Sequence, residues 1–188
     1  MAENNRETGS LFAVQGQGRR AKSLNISISP IQPTDVAAAR ALILGVAARL
    51  FQADATEAFI RRHGHTLEDV DDYRRDYSPP DGLFLVALDD GKLIGTGAIR
   101  RYDGDTAELR RMWLLEPYQG RGIGYRLWLE LRAFAAAAGY RRVRLTTDEE
   151  NVRAGAFYRR VGFKRIEPFG GGSEEIIMEL HLDDKSIP

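Results

Sequence analysis

The chain has 188 residues, and its 27 Lys plus Arg are balanced by 27 Asp plus Glu, so the formal net charge is zero. This balance does not favour binding to nucleic acid or to an anionic membrane surface. Cysteine is absent, which excludes disulfides, thiolate metal sites and a cysteine nucleophile and agrees with a reducing cytoplasm. The length and the hydrophobic content of 43% predict one soluble globular domain, and the longest apolar run is too short to cross a bilayer.

The N-terminal part of the chain divides into a tail, a strand and a helix. Residues Met1 to Ser23 are polar and aperiodic, and we expect a disordered tail there, followed by a single domain over residues 24–188. Leu24 to Ile31 alternates apolar and polar side chains, as a strand does. Pro33-Thr34-Asp35 then begins a helix that we predict from Val36 to Phe51.

The following segment is rich in charge. We predict helical stretches from Thr56 to Arg62 and from Leu67 to Tyr77, with a loop at His63-Gly64-His65 between them. Neither that loop nor His181 has the spacing of a metal site, so no metal is expected. The second stretch carries acidic residues that we interpret as a solvated helix face, namely Glu68, Asp69, Asp71 and Asp72.

Three consecutive strands are predicted next, and their short connections make them an antiparallel meander. They run from Leu83 to Leu88, from Leu93 to Arg101 and from Thr106 to Leu115. The connections are tight turns at Asp89-Asp90-Gly91-Lys92 and Asp103-Gly104-Asp105.

A glycine-rich loop follows the third strand and opens a helix. The first N–H groups of a helix have no partner inside it and lie at the positive end of its dipole, so the loop suits a phosphate. Its spacing matches neither a P-loop nor the dinucleotide fingerprint, and an ordinary glycine-rich turn is the alternative. The loop reads Gln119-Gly120-Arg121-Gly122-Ile123-Gly124, and the helix has one apolar stripe, Ile123, Leu127, Leu131 and Phe134.

The C-terminal part adds one helix and three strands. A strand is predicted from Arg142 to Thr147, and Asn151 then opens a helix that Gly162 closes. The last two strands run from Phe163 to Ile166 and from Glu175 to Leu182, and they are joined through three glycines, Gly170-Gly171-Gly172.

The loop resembles the pyrophosphate loop of the GNAT family of N-acetyltransferases, whose pattern is R/Q-x-x-G-x-G/A. A later segment matches that family at Asn151, Ala154, Tyr158, Gly162 and Phe163. The resemblance covers roughly Leu24 to Leu182. It implies an α/β (α+β) fold with a mixed, mostly antiparallel seven-stranded sheet, flanked by helices and splayed between the fourth and fifth strands. The chain departs from the family at Glu116-Pro117-Tyr118, where proline usually stands one place earlier.

The resemblance also implies acetyl-CoA as co-substrate and no metal. In the family the backbone N–H groups of the glycine loop hold the diphosphate, and the exposed edge of the fourth strand pairs with the pantetheine arm. Asn151 would bind that arm or merely cap its helix. The implied cofactor-binding residues are Met112, Trp113, Leu114, Gln119, Gly120, Arg121, Gly122, Ile123, Gly124, Tyr125, Asn151 and Tyr158.

Three residues are implied in catalysis. The Met112 N–H would stabilise the oxyanion as the amine attacks the thioester. Tyr158 would protonate the departing thiolate, or would simply pack in its helix. Glu108 lies four residues before Met112, roughly 13 Å at ~3.3 Å per residue, so it would deprotonate the amine through a bound water. The alternative for Glu108 is a strand carboxylate paired with Arg100 or Arg110.

We therefore predict an acetyl-CoA-dependent N-acetyltransferase that acts on a primary amine of a small molecule or a peptide. The alternative is a non-catalytic acyl-CoA-binding sensor or interaction module. We expect the acceptor to be read by residues from about Gln52 to Ser78 and from Phe169 to Ser173, which do not identify it. Neither nucleic acid nor membrane is expected as a partner, a cytoplasmic location is expected, and the sequence leaves a homodimer open.

Overall fold

The computed structural model of the chain describes residues 24–50, 67–149, 151–166 and 175–183. The predicted tail, the stretch from Thr56 to Arg62, the loop at His63–His65 and the glycines at 170–172 lie outside these residues. The described strands are β1 (Ile26–Pro30), β2 (Leu83–Asp89), β3 (Lys92–Asp103), β4 (Thr106–Leu114), β5 (Arg142–Asp148), β6 (Lys164–Ile166) and β7 (Glu175–His181).

All seven strands belong to one sheet in the order β1-β2-β3-β4-β5-β7-β6. Every neighbouring pair is antiparallel except β4 and β5, which are parallel. Asp90 and Gly91 both have positive φ, 48° and 79°, at the predicted turn between β2 and β3. The predicted mixed, mostly antiparallel sheet is confirmed.

The described helices flank this sheet. They are α1 (Val36–Leu50), which a 3-10 turn at Pro33–Asp35 precedes, α2 (Glu68–Asp71), α3 (Tyr73–Asp76), α4 (Ile123–Ala137) and α5 (Val152–Arg160). Within the described ranges, no helix has both the length and the apolar character that a membrane crossing requires.

The core lies on both faces of the sheet. On one face, α4 buries its predicted stripe through Ile123, Leu127 and Leu131, against apolar side chains of β3 to β5. On the other face, α1 and α2 cover a second cluster that includes Phe84 and Val86 of β2. The sheet is therefore the middle layer of three, and each face of β4 contacts a different set of helices.

The predicted continuous helix from Leu67 to Tyr77 is wrong, because α2 and α3 are separate turns divided at Asp72 (φ −109°, ψ 50°). The Tyr77 hydroxyl donates a hydrogen bond to the carboxylate of Asp69. In one straight helix these two residues would lie about 12 Å apart along the axis, at ~1.5 Å per residue. The break brings Tyr77 back towards Asp69.

The parallel pairing of β4 with β5 is short. Thr106, Ala107 and Glu108 pair with Arg142, Val143 and Arg144, and within the described residues the two strands do not pair beyond these three positions. The predicted splay between the fourth and fifth strands is confirmed. It leaves the C-terminal half of β4 without β5 as a neighbour, and that half leads into the glycine loop.

Candidate functional site

A cleft of about 800 Å³ opens beside the C-terminal half of β4. The glycine loop, the N-terminal end of α4, α5 and the last turn of α1 complete its walls. The lining residues are Val46, Arg49, Leu50, Thr96, Met112, Trp113, Leu114, Glu116, Gln119, Gly120, Gly122, Gly124, Tyr125, Leu127, Asn151, Arg153, Ala154, Phe157, Tyr158, Arg160 and Val161. The cleft thus contains most of the residues that the sequence predicted for a cofactor.

The glycine loop has the backbone that its sequence predicts. Gly120 and Gly122 have φ of +74° and +79°, a left-handed conformation that residues with a side chain rarely adopt. Gly122 is the N-cap of α4, and a Cβ placed on Gly120, Gly122 or Gly124 would meet nothing within 4 Å. The loop is therefore open beside these three glycines, which line the cleft, and an anion site in the loop stays a prediction.

The loop is anchored at its N-terminal side. The Gln119 Nε2 donates to the carbonyl of Leu114 at 2.8 Å, which joins the loop to the end of β4. The Tyr118 hydroxyl donates to the buried carboxylate of Asp89 at 3.0 Å, and this carboxylate also accepts from the backbone N–H of Asn25 at 3.0 Å. Tyr118 belongs to the 3-10 turn Glu116–Tyr118, in which Pro117 stands one place later than is usual in the family. The loop is formed despite this shift of the proline.

Three arginines of the cleft were missed by the sequence analysis. Arg49, Arg153 and Arg160 line it, and none of them has an ion pair with a carboxylate in the described part of the chain. Their positive charge adds to that of the α4 N-terminus and favours an anionic ligand. Arg153 and Arg160 lie within the Asn151–Phe163 motif and could have been found from it, whereas Arg49 carries no local signal.

Tyr158 lies at the wall of the cleft and is 8% exposed. Its ring makes edge contacts with Phe157 and Phe163, with centroids 5.5 and 5.8 Å away. Burial raises the pKa of its hydroxyl above the ordinary value, so the group is protonated at neutral pH. The packing interpretation is therefore confirmed, and the role of the hydroxyl as a proton donor stays a prediction.

Asn151 caps α5, because its side-chain oxygen accepts the N–H of Ala154 at 3.1 Å. It also lines the cleft. The cap satisfies one of the N–H groups that the first turn of α5 leaves without a partner, and it fixes where the helix that carries Tyr158 begins. The capping interpretation is therefore confirmed, and a contact with a ligand stays a prediction.

Glu108 does not line the cleft. It lies on the opposite face of β4 from Leu109, and its Oε2 accepts from the Arg100 Nε and Nη2, both at 2.9 Å. The Arg110 Nη1 lies 3.5 Å from the same oxygen. These ion pairs favour the alternative of a paired strand carboxylate, and a catalytic role for Glu108 stays a prediction.

Two other predicted residues turn their side chains away from the cleft. Ile123 is 2% exposed in the core under α4, and Arg121 is exposed, with its Nε donating to the carbonyl of Pro117 at 3.0 Å. Only their backbone groups remain as candidates for ligand contacts. His181 is a surface residue of β7, with a side chain that is 62% exposed and lies 3.3 Å from Glu179.

The sequence profile of the acetyltransferase (GNAT) family matches residues 47–163 of the chain. The chain belongs to the GNAT family. The match contains β4, the glycine loop, α4 and α5, which form most of the cleft.

Individual relatives agree with this assignment. An uncharacterised N-acetyltransferase of Mycobacterium tuberculosis is 31% identical over 126 residues, which cover 65% of this chain and 81% of that protein. Human N-acetylaspartate synthetase is 32% identical over 116 residues, 61% of this chain and 36% of that protein. The PaiA N-acetyltransferase of Thermoplasma acidophilum, solved in complex with coenzyme A, has a TM-score of 0.71 at 24% identity and covers 83% of this chain and 98% of that chain. This GNAT protein is accordingly an acyltransferase.

A buried ion pair connects α2 of this acetyltransferase to β4. Asp69 is 7% exposed, and its carboxylate accepts from the Arg111 Nε at 3.0 Å and from the Arg111 Nη2 at 2.6 Å. Burial alone would raise the pKa of Asp69, but the hydrogen bonds from Arg111 and Tyr77 and the charges of Arg111 and Arg110 outweigh it, so the pKa lies below its ordinary value. The prediction of a solvated face is therefore wrong for Asp69, although Asp71 is half exposed.

Substituting Asp69→Asn should lower the free energy of unfolding by about 3–5 kcal/mol, because it leaves the Arg111 charge buried without its partner. The control is Asp71→Asn, which breaks a surface pair with Arg40 and should cost only about 0–1 kcal/mol. Both are measured by urea denaturation at neutral pH.

The same pair predicts a pH dependence. Since the pKa of Asp69 is lowered in the folded state, its contribution to stability is present above the unfolded value of about 3.9 and is lost as the pH falls below it. The stability difference between the wild type and Asp69→Asn should therefore shrink below about pH 4. A difference that stays constant through this range would contradict the assignment.

Proposed function

We propose that this GNAT protein transfers the acetyl group of acetyl-CoA to a primary amine of a small molecule or a peptide, by direct attack of the amine on the thioester. The observation that carries the proposal is the position of the cleft. It joins an open loop of backbone N–H groups, the free edge of a splayed strand and a protonated buried tyrosine.

The donor's phosphates fit the loop end of the cleft. The backbone from Gly120 to Tyr125 would hold the diphosphate, because the glycines leave room for phosphate oxygens against the N–H groups. Arg153 and Arg160 of α5 would compensate its charge.

The pantetheine arm resembles a peptide, so it would pair with the edge of β4 at Met112–Leu114, where β5 has separated. The Met112 N–H would then donate to the thioester carbonyl and stabilise the oxyanion that forms.

Two protons must move during the transfer. The acceptor amine must lose one, since an alkylammonium with a pKa near ~10.4 is almost wholly charged at neutral pH. Because Glu108 is engaged by Arg100, this deprotonation would take place through water in the cleft or before binding. The departing thiolate gains a proton, which the Tyr158 hydroxyl at the wall of the cleft would donate.

The acceptor remains a class rather than a compound. Human N-acetylaspartate synthetase matches 61% of this chain. We therefore include amino acids with the polyamines, aminoglycosides and peptide N-termini in an acceptor panel. Thiol release from acetyl-CoA that depends on one of these amines supports the enzyme. Tight binding of acetyl-CoA with no release across the panel would favour the non-catalytic module.

Gly122→Glu should abolish binding of acetyl-CoA, because the carboxylate fills and charges the phosphate cradle at the N-cap of α4. Gly122→Ala is the matched control, since it imposes the same left-handed strain without the charge, and should weaken binding far less. Isothermal calorimetry measures both, with circular dichroism to show that each variant is folded. Equal binding by folded Gly122→Glu would refute the loop assignment.

Tyr158→Phe should lower the transfer rate by about 10²-fold while the affinity for acetyl-CoA barely changes. A general acid typically raises the reaction rate by ~10²–10⁴-fold. Because a thiol of pKa about 8.5 is a fairly good leaving group without protonation, we expect a loss of rate at the low end of this range. Tyr140→Phe is the control, because it removes another buried hydroxyl, bonded to the Asp81 carbonyl at 2.8 Å and outside the cleft. A wild-type rate for Tyr158→Phe in single-turnover kinetics, with chemistry as the slow step, would make the tyrosine a packing residue.

A further inference from the structure

The peptide bond between Arg111 and Met112 lies at an irregularity in β4. Thr96 of β3 pairs with Trp113, and Ala98 pairs with Arg110, so the two residues Arg111 and Met112 face the single residue Gly97. This is a β-bulge. Arg111 has φ of 56°, in the left-handed region that residues other than glycine rarely adopt. Such a backbone persists only where its surroundings hold it.

Two contacts hold this bulge. The Thr96 hydroxyl donates to the carbonyl oxygen of Arg111 at 2.7 Å, and Thr96 is completely buried. The Arg111 guanidinium is fixed by both oxygens of the buried Asp69. The backbone carbonyl and the side chain of Arg111 are thus each tied to a different element of the fold, β3 and α2.

The first contact sets the direction of the next N–H group. In a planar trans peptide the C=O and the following N–H point in opposite directions. The Arg111 carbonyl is turned towards Thr96 on β3, so the Met112 N–H is directed away from β3. On that side β5 has separated from β4, and Met112 lines the cleft.

We propose that Thr96 is a positioning residue for acetyl transfer. Its hydroxyl orients the Arg111–Met112 peptide, and by bonding to the carbonyl end of that peptide it strengthens the N–H at the other end as a donor. The Asp69–Arg111 ion pair is the second restraint on the same peptide. This inference rests on the proposed function, in which the Met112 N–H donates to the thioester carbonyl.

The first experiment is infrared spectroscopy of carbonyl-¹³C-labelled acetyl-CoA bound to the full chain. In the wild type the thioester carbonyl band should move to lower frequency than in free acetyl-CoA, because the oxygen accepts a hydrogen bond. Thr96→Val, which keeps the shape of the side chain and removes the hydroxyl, should reverse part of that displacement. Thr96→Ser should restore it.

Kinetics provide the second readout. Loss of a direct oxyanion donor costs ~10²–10³-fold, so loss of the group that orients the donor should lower kcat of Thr96→Val by about 10-fold. The affinity for acetyl-CoA should stay within about twofold, because the residue does not contact the phosphates, and Thr96→Ser should recover the rate. The control is Thr106→Val, which removes another buried threonine hydroxyl at the far end of β4 and should leave both band and rate unchanged.

The outcomes separate the inference from the function on which it rests. If wild-type protein binds no acetyl-CoA, or binds it without a displaced carbonyl band, the proposed oxyanion contact fails and the inference fails with it. If the wild-type band is displaced and Thr96→Val has the same band and the same kcat, the inference alone is overturned.

A third measurement needs no variant. The chain has three methionines, so labelling with ¹⁵N-methionine gives a sparse spectrum in which the Met112 amide can be assigned. Its proton resonance should move downfield when acetyl-CoA is added. A stationary resonance in protein that is saturated with acetyl-CoA overturns the proposal even if Thr96→Val fails to fold.

Discussion

β4 and β5 pair over three positions, and beyond Glu108 the two strands separate. Backbone N–H and C=O groups are obligatory hydrogen-bonding groups, and a continuous ladder would have consumed those of Met112 to Leu114. The separation leaves this edge without a neighbouring strand and makes room for the cleft, although the Leu114 carbonyl accepts from the Gln119 side chain. The bulge at Arg111 and the glycine loop both follow this point along the chain, so in the proposed function the pantetheine arm and the diphosphate would bind one continuous stretch of backbone.

The distribution of charge fits an anionic donor although the formal net charge of the chain is zero. Three exposed arginines line the cleft and have no carboxylate partner among the described residues, namely Arg49, Arg153 and Arg160. Two acids of the neighbouring elements are paired, Asp69 with Arg111 and Glu108 with Arg100, whereas Glu116 lines the cleft itself, so three arginines stand against one carboxylate there. The total charge contains no information about this local asymmetry.

Local features were predictable from the residues themselves, the sheet and its splay were predictable through the family resemblance, and individual long-range side-chain contacts were not predictable. The left-handed glycines at 120 and 122, the Asn151 cap and the Leu127–Leu131 stripe depend on residues a few positions apart, and all are present. The burial of Asp69 depends on Arg111, 42 residues away, so an acidic run looked like a solvated face. Arg111 itself carries no signal of a left-handed backbone, because a bulge is decided by the register of two strands. The ion pair of Glu108 with Arg100 could be stated only as an alternative, because it too depends on the register of β3 and β4.

The link between Asp69 and Arg111 has a consequence for how this enzyme could diversify. The segment from Leu67 to Tyr77 belongs to the region expected to read the acceptor, yet one of its side chains also restrains the backbone beside Met112. Substitutions that reshape the segment for a new acceptor would therefore disturb the rate of the chemical step unless Asp69 keeps its place. Directed evolution of acceptor choice should accumulate changes on the exposed side of α2 and α3 and leave Asp69, Tyr77 and Arg111 as an unvaried anchor.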